Sequence, residues 1–318
     1  MTLRVHPISI PTPFPIGAVN AYLLPDDPVT LIDAGPKTEQ ARAALERGFE
    51  AAGVPLHGLE RIILTHGHMD HFGLAASLGA EVGASIFAHP DDAPKFAADE
   101  SIIEPLLQFL RRHGAPDLAA AAVGEALRAH RRLLDPLPSF HHLTDGTRLR
   151  QGDAVMEVLH TPGHSAGHIC LISAGTLMAG DVLLEEVSAN PVLEFGPDGR
   201  RHHTLAQLIA SLRRLDTLNP SEVFPGHGAP FGPARPRIAA LLAHHAQRQQ
   251  QVLAQLTDTP QTAFDLAQAL FPGTDPMNLL LALSEVIGHL DLLIAEERAV
   301  EIVQHAQAGY RRGSRPQS

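Results

Sequence analysis

Apolar residues along this chain recur in two periods, a short alternation and a three-to-four spacing, and the two periods interchange through the first two thirds. Val19 to Leu24 and Val29 to Asp33 read as short strands around a Pro-Asp-Asp-Pro turn, and Gly35-Pro36 breaks the second. Residues 38 to 52 carry Ala41, Leu45 and Phe49 four apart, which predicts a helix. Arg61 to Thr65 and Ser85 to Ala88 are again strand-like, the first running into His66 and the second ending at His89-Pro90. Strand-like sequence returns at 148 to 150, 154 to 159, 169 to 173, 176 to 179 and 223 to 224, with a helix from Thr204 to Leu215 before the last. Such alternation predicts an α/β architecture.

Two stretches differ from this pattern. Residues 91 to 138 predict a helical insertion. Ser101 and Glu104 form a capping-box pattern ahead of Leu106, Leu107 and Leu110, Gly114-Ala115-Pro116 ends that helix, and Asp117 can cap a second. The apolar stripe of its first helix, with Phe96, is expected to line a substrate pocket. After Pro236 the sequence is helical over 238 to 256, 263 to 270 and 277 to 295, followed by a short strand at 300 to 303 and a polar tail. A main domain over 1–235 and a small C-terminal module over 236–318 are expected.

Composition narrows the classes. No apolar run approaches the roughly 20 residues of a bilayer span, and the N-terminus lacks the apolar stretch of a signal peptide, so a cytoplasmic location is the expectation. With 24 Lys and Arg against 35 Asp and Glu, the net charge of −11 disfavours nucleic acid as a partner. Cys170 is the single cysteine, which excludes an internal disulfide and a thiolate zinc cluster.

The chemistry concentrates in Thr65-His66-Gly67-His68-Met69-Asp70-His71, where three imidazoles and a carboxylate share six positions at a strand end. His164 in Thr-Pro-Gly-His, Asp181 in Gly-Asp and His227 in Pro-Gly-His-Gly each follow a short strand beside glycine or proline. Imidazole and carboxylate suit borderline divalent metals such as zinc. Alternate residues of an extended segment point the same way, so His66 and His68 can share one ion while Asp70 and His71, past the turn, reach a second. Asp181 can bridge. Two ions about 3.5–4 Å apart can hold a hydroxide and polarise a carbonyl or phosphoryl oxygen.

In type and order these seven residues resemble the metal-binding signature of the metallo-β-lactamase superfamily, over roughly residues 15 to 235. The resemblance implies an αββα sandwich with two divalent ions, Zn²⁺ or else iron or manganese, at one edge between the sheets. It assigns His66, His68 and His164 to the first metal, Asp70, His71 and His227 to the second, and Asp181 as the bridge, with Asp70 also a candidate proton shuttle. Asp33 matches the family's early Asp-x-Gly turn that supports the ligand loop, and His168 is a candidate for a similar supporting role.

The similarity is greatest to glyoxalase-II-like and lactonase-like hydrolases, which implies an ester, lactone or thioester substrate. The C-terminal segment resembles a winged-helix-like module, expected to pack or to form a homodimer contact. A nuclease or phosphodiesterase and a mononuclear iron dioxygenase are the alternatives. The 45 residues between Asp181 and His227 leave no room for the large inserted domain that nucleases of this group often carry.

Overall fold

The computed structural model describes residues 3–196 and 198–313. The end of the expected polar tail, 314–318, lies outside the described residues. The chain divides into two compact units, the first made of Met1–Asp99, His130–Ala189 and Ala210–Ile238, the second of Glu100–Ala129, Asn190–Ile209 and Ala239–Ser318.

The first unit holds two sheets. Six strands, β1 (His6–Ile10), β2 (Val19–Leu24), β3 (Thr30–Ile32), β4 (Arg61–Ile63), β5 (Ser85–Ala88) and β6 (His141–His142), lie side by side in that order. β1 to β3 pair antiparallel and β3 to β6 parallel. The second sheet contains β7 (Arg148–Gln151), β8 (Ala154–His160), β9 (Ile169–Ser173), β10 (Thr176–Gly180) and β11 (Glu222–Pro225), antiparallel except for the parallel β10–β11 pair.

Neighbouring residues in the central strands serve opposite cores. Ile62 and Leu23 join the cluster under the helices α1 (Glu39–Ala51) and α3 (Ala75–Val82), whereas Ile63, Tyr22 and Leu24 face Met156, Val158, Leu171 and Phe224 of the other sheet. Burial on both faces explains why these strands read as unbroken apolar runs. Between α1 and α3, the four-residue α2 (Met69–Phe72) continues the metal motif, and α4 (Ala93–Phe96) follows β5.

The second unit begins with α5 (Ile103–Arg112) and α6 (Asp117–His130), the latter ending one residue into the first unit. α5 starts from a 3₁₀ turn over Glu100–Ile102 with Ile102 as its N-cap and no side-chain capping bond, so the expected capping box does not form. Asp117 accepts a hydrogen bond from Arg111 Nε at 3.0 Å, in place of the capping role expected of it. α7 (Thr204–Leu218) and α8 (Ala234–Gln255) each pass from one unit into the other. α9 (Ala263–Leu270), α10 (Pro276–Ala295) and the hairpin β12 (Ala299–Gln304)–β13 (Gln307–Arg312) complete the chain.

The α5 stripe of Ile103, Leu106, Leu107 and Leu110 buries against Val252, Leu266, Leu283, Val286 and Ile287 in the second unit's core. Phe96 is fully buried in the first unit, edge-on to Phe72 and Phe140. These five side chains are spent on packing, which corrects the expectation that they line a substrate pocket, while Ile102 at the start of the stripe is exposed. α10 contains an 18-residue window apolar enough to cross a membrane by length and composition, and 61% of that window is buried as the unit's core helix.

Candidate metal centre

Each expected ligand sits just past a strand end. β4 leads into His66, β8 into His164, β10 into Asp181 and β11 into His227. β3 and β4 run parallel, as do β10 and β11, so within each sheet these ends share an edge. A backbone bond from Ile169 N–H to Thr65 C=O, 2.8 Å long, joins the sheets beside the motif.

The ligand atoms of His66, His68 and His164 lie within 4.8 Å of one another, and so do those of Asp70, His71 and His227. His66 Nε2 and His68 Nδ1 face each other at 3.0 Å. Asp181 stands between the trios: Oδ1 is 3.4 Å from His71 Nε2, and Oδ2 is 3.4 Å from His164 Nε2 and 3.6 Å from His227 Nε2. Asp70 Oδ2 is 3.4 Å from His227 Nε2.

A tetrahedral ion with bonds of about 2.0–2.1 Å sets its ligand atoms roughly 3.3 Å apart, which matches this spacing. His71 Nε2, His227 Nε2 and Asp181 Oδ1 are buried with no hydrogen-bond partner among the described residues. A buried polar atom without a partner costs about 1–3 kcal/mol, so these atoms call for an acceptor of their lone pairs. The donor set therefore fits a pair of divalent ions.

The electrostatics agree. Burial, reinforced by the neighbouring histidines, holds His66 and His68 far below the ordinary histidine range, neutral and ready to ligate. Burial also opposes charge on His71, but Asp181, Asp33 and Asp70 outweigh it and raise that imidazole well above the usual value, and Asp181 and Asp70 raise His227 likewise. Against the penalty of burial, His71 and His227 keep Asp181 ionised far below the usual carboxylate range. Positive charge is favoured where the second trio and the bridge converge.

The supporting groups are as ordered as the ligands. Asp33 Oδ1 accepts from Thr65 N–H at 2.8 Å, and its Oδ2 accepts from Thr65 Oγ1 and lies 2.8 Å from His71 Nδ1. His168 Nε2 accepts from Asp181 N–H at 3.1 Å while Nδ1 meets Thr161 Oγ1 at 2.9 Å, an arrangement that needs the neutral ring. Burial pushes its pKa down to about 3. His227 Nδ1 is 2.8 Å from Ala18 C=O, which fixes that ring's proton on Nδ1.

Sequence reasoning did not find Asp92, Lys95 or Ser165, which form a hydrogen-bonded group between the two histidine loops, Asp92 and Ser165 buried and Lys95 half-buried. The crowding around Gly67 and Gly167 is the signal that marks them, and it exists only in three dimensions.

Two other histidine groups lie apart from this centre. His89 and His160 stack at 4.0 Å, but His89 Nδ1 accepts from Asp91 N–H and His160 Nε2 meets Ala166 C=O, so those nitrogens are occupied. In the second unit Glu285 is bonded to His289 at 3.2 Å with Arg248 3.9 Å away, which balances its charge without a metal. Cys170 is buried with its thiol pushed up to about 12, an inert core residue.

A two-sheet sandwich carrying a three-histidine group that abuts an Asp-His-His group at its strand ends defines a metal-dependent hydrolase with a dinuclear centre. The chain belongs to the Metallo-beta-lactamase superfamily, whose pattern matches residues 15–227. It is similar to the Bacillus subtilis protein named Probable metallo-hydrolase YqjP, 36% identical over 303 residues that cover 93% of this chain and 94% of that one. A crystal structure of a metallo-beta-lactamase family protein from Thermus thermophilus superposes with a TM-score of 0.85 at 31% identity, covering 97% of this chain and 98% of the other. Hydroxyacylglutathione hydrolase GloC of Haemophilus influenzae is 29% identical over 170 residues, 52% of this chain and 67% of its own.

Proposed function

We propose that the enzyme hydrolyses a small acyl substrate, an ester, lactone or thioester, at a zinc pair held by His66, His68 and His164 on one side and Asp70, His71 and His227 on the other, with Asp181 between them. When bound, such a pair lowers the pKa of water and polarises an acyl oxygen. Asp70, partly exposed beside His227, is placed to orient the attacking water and move its proton. Asp33, His168 and the Ala18 carbonyl fix the rings and the bridge so that little reorganisation accompanies reaction.

The carrying observation is the charge at the site. Lys95, the cation beside His68, is already paired with Asp92 at 2.7 Å and is hydrogen-bonded to Ser165. The metal pair can serve a phosphoryl or a carbonyl oxygen alike, but the flanking phosphates of a polynucleotide would need further uncommitted cations, which a small neutral acyl substrate does not. Similarity to a hydroxyacylglutathione hydrolase over half the chain supports an acyl bond as the target. The helix–helix–hairpin order of α9, α10, β12 and β13 supports a winged-helix-like module in a packing role.

The test is metal analysis followed by a panel of p-nitrophenyl esters, lactones, thioesters and bis-p-nitrophenyl phosphate. Two ions per chain, chelator-sensitive turnover of carbonyl substrates, and loss of at least one ion and nearly all activity in Asp181→Ala are expected. Faster turnover of the phosphodiester overturns the acyl assignment. One ion per chain, unchanged in Asp181→Ala, overturns the dinuclear reading.

A further inference from the structure

The first trio is drawn from two loops far apart in sequence, joined at their bases by the Ile169–Thr65 backbone bond. His66 and His68 flank Gly67, while His164 opens a turn that closes at Gly167 and His168. Between them sits the turn after β5. Asp92, fully buried, accepts from Gly67 N–H with Oδ2 at 2.6 Å and from Gly167 N–H with Oδ1 at 2.9 Å. The Ser165 hydroxyl donates to the same carboxylate, at 2.6 Å to Oδ1, and accepts from Lys95 Nζ at 2.7 Å. Lys95 Nζ also donates to Asp92 Oδ1 at 2.7 Å.

Gly167 is required for this approach, and Gly67 lets it occur without displacing a neighbour. A Cβ on Gly167 would stand 2.6 Å from Asp92 N and 2.8 Å from its Cγ, and a Cβ on Gly67 would stand 3.0 Å from Lys95 Cβ and 3.1 Å from Asp92 Cβ. One carboxylate therefore takes donors from both loops, one residue from His66 and His68 and three from His164.

The second trio is fastened differently, through Asp33 on His71 and the Ala18 carbonyl on His227. We infer that Asp92 is the positioning residue of the His66–His68–His164 site alone, a clamp that sets the distance between its two loops and so its metal affinity, an inference resting on the dinuclear reading above.

The clamp predicts selective loss. In Asp92→Asn the amide nitrogen is a donor facing backbone donors, so the loops separate at that point. Equilibrium dialysis of the full chain against graded free Zn²⁺, with metal analysis and far-UV circular dichroism as a fold control, reads the two occupancies. The wild type fills both sites. In Asp92→Asn one ion binds as in the wild type, and the other requires about 10–100-fold more free zinc. Adding His164→Ala to Asp92→Asn leaves the tight ion's affinity unchanged, which assigns the weakened site to the first trio.

Two ions at wild-type affinity in Asp92→Asn, or both weakened alike, overturns the clamp. A wild type that takes fewer than two ions fails the dinuclear reading itself, and the inference falls with it. Should Asp92→Asn not fold, Ser165→Ala keeps the backbone donors and removes one side-chain bond. Selective weakening of one ion by a smaller factor supports the clamp, and weakening of neither or of both equally overturns it.

Discussion

Asp33 and His71 are 38 positions apart in sequence and meet at 2.8 Å, carboxylate Oδ2 to imidazole Nδ1, both buried. Asp33 adopts a left-handed backbone, φ 59°, at the end of β3. Aspartate tolerates that region better than most residues, and the turn aims the carboxylate across to the next strand's loop. Ala34 N–H then donates to His71 C=O at 2.7 Å, so the ring and its backbone are held by adjacent residues.

Asp33→Ala is expected to weaken the ion at Asp70, His71 and His227 by about 10–100-fold, because His71 loses the acceptor that orients its ring. Zinc titration of the variant checks this, and unchanged affinity for both ions contradicts it. Comparison with Asp92→Asn, which acts on the other ion, separates the two supports.

Gly226→Ala is expected to lower kcat/KM at least about 100-fold while the fold survives. A Cβ there would stand 2.1 Å from Asp181 Oδ1 and 2.8 Å from His71 Cε1, so the Asp181 carboxylate and the His71 ring must both shift. Steady-state kinetics with a thermal melt of the metal-free protein checks it; wild-type kinetics would mean that the loop yields instead.

The second unit carries a pH-dependent element. His113 is buried, next to Arg201 and Arg112, and with Asp291 pulling the other way its pKa is lowered to about 4. Tyr310 OH lies 2.9 Å from Nδ1, a bond that the neutral ring accepts. The unfolded chain binds this proton near 6.5 and the folded unit only near 4, so the contribution is whole above pH 6.5 and lost as pH falls toward 4. The difference corresponds to roughly 3 kcal/mol at most. Urea unfolding from pH 7 to 4 should show a shallower loss for His113→Gln than for the wild type; parallel curves would count against it.

The C-terminal helix should not read nucleic acid. Leu283, Val286, Ile287, Leu290 and Leu293 of α10 are buried in the second core, and its charged residues are Glu285 and Asp291, the latter tied to Arg201 at 2.6 Å. No salt-sensitive retention on RNA or DNA is expected at physiological ionic strength. Micromolar binding that weakens steeply with salt would reverse this reading.

The seven expected ligands were legible because strand-end turns with glycine and histidine leave a local mark, and the structure brings all seven together. The longer helices and the central strands were legible from their periods. β1, β6 and β13 were not. β1 is an edge strand interrupted by Pro7, β6 is two exposed residues, and β13 buries only Ala308 and Tyr310 of a polar run. Asp92 was missed for a different reason. In sequence it is one of two turn aspartates, and its partners Gly67, Ser165 and Gly167 are 25, 73 and 75 positions away. The destination of the α5 stripe was equally non-local, since its partners come from the last third of the chain.

The division of ligands between the sheets gives the metals a mechanical role. His66, His68, Asp70 and His71 hang from the first sheet, and His164, Asp181 and His227 from the second. An ion in either trio is thus a cross-link between two layers, added to their apolar interface and to backbone bonds such as Ile169–Thr65 and Asn20–Gly226. Shearing one sheet over the other would have to break coordination as well. An ion present at about a thousand times its dissociation constant adds about 4 kcal/mol against unfolding, so the enzyme's resistance to heat and proteolysis should follow the metal supply of its surroundings as closely as its activity does.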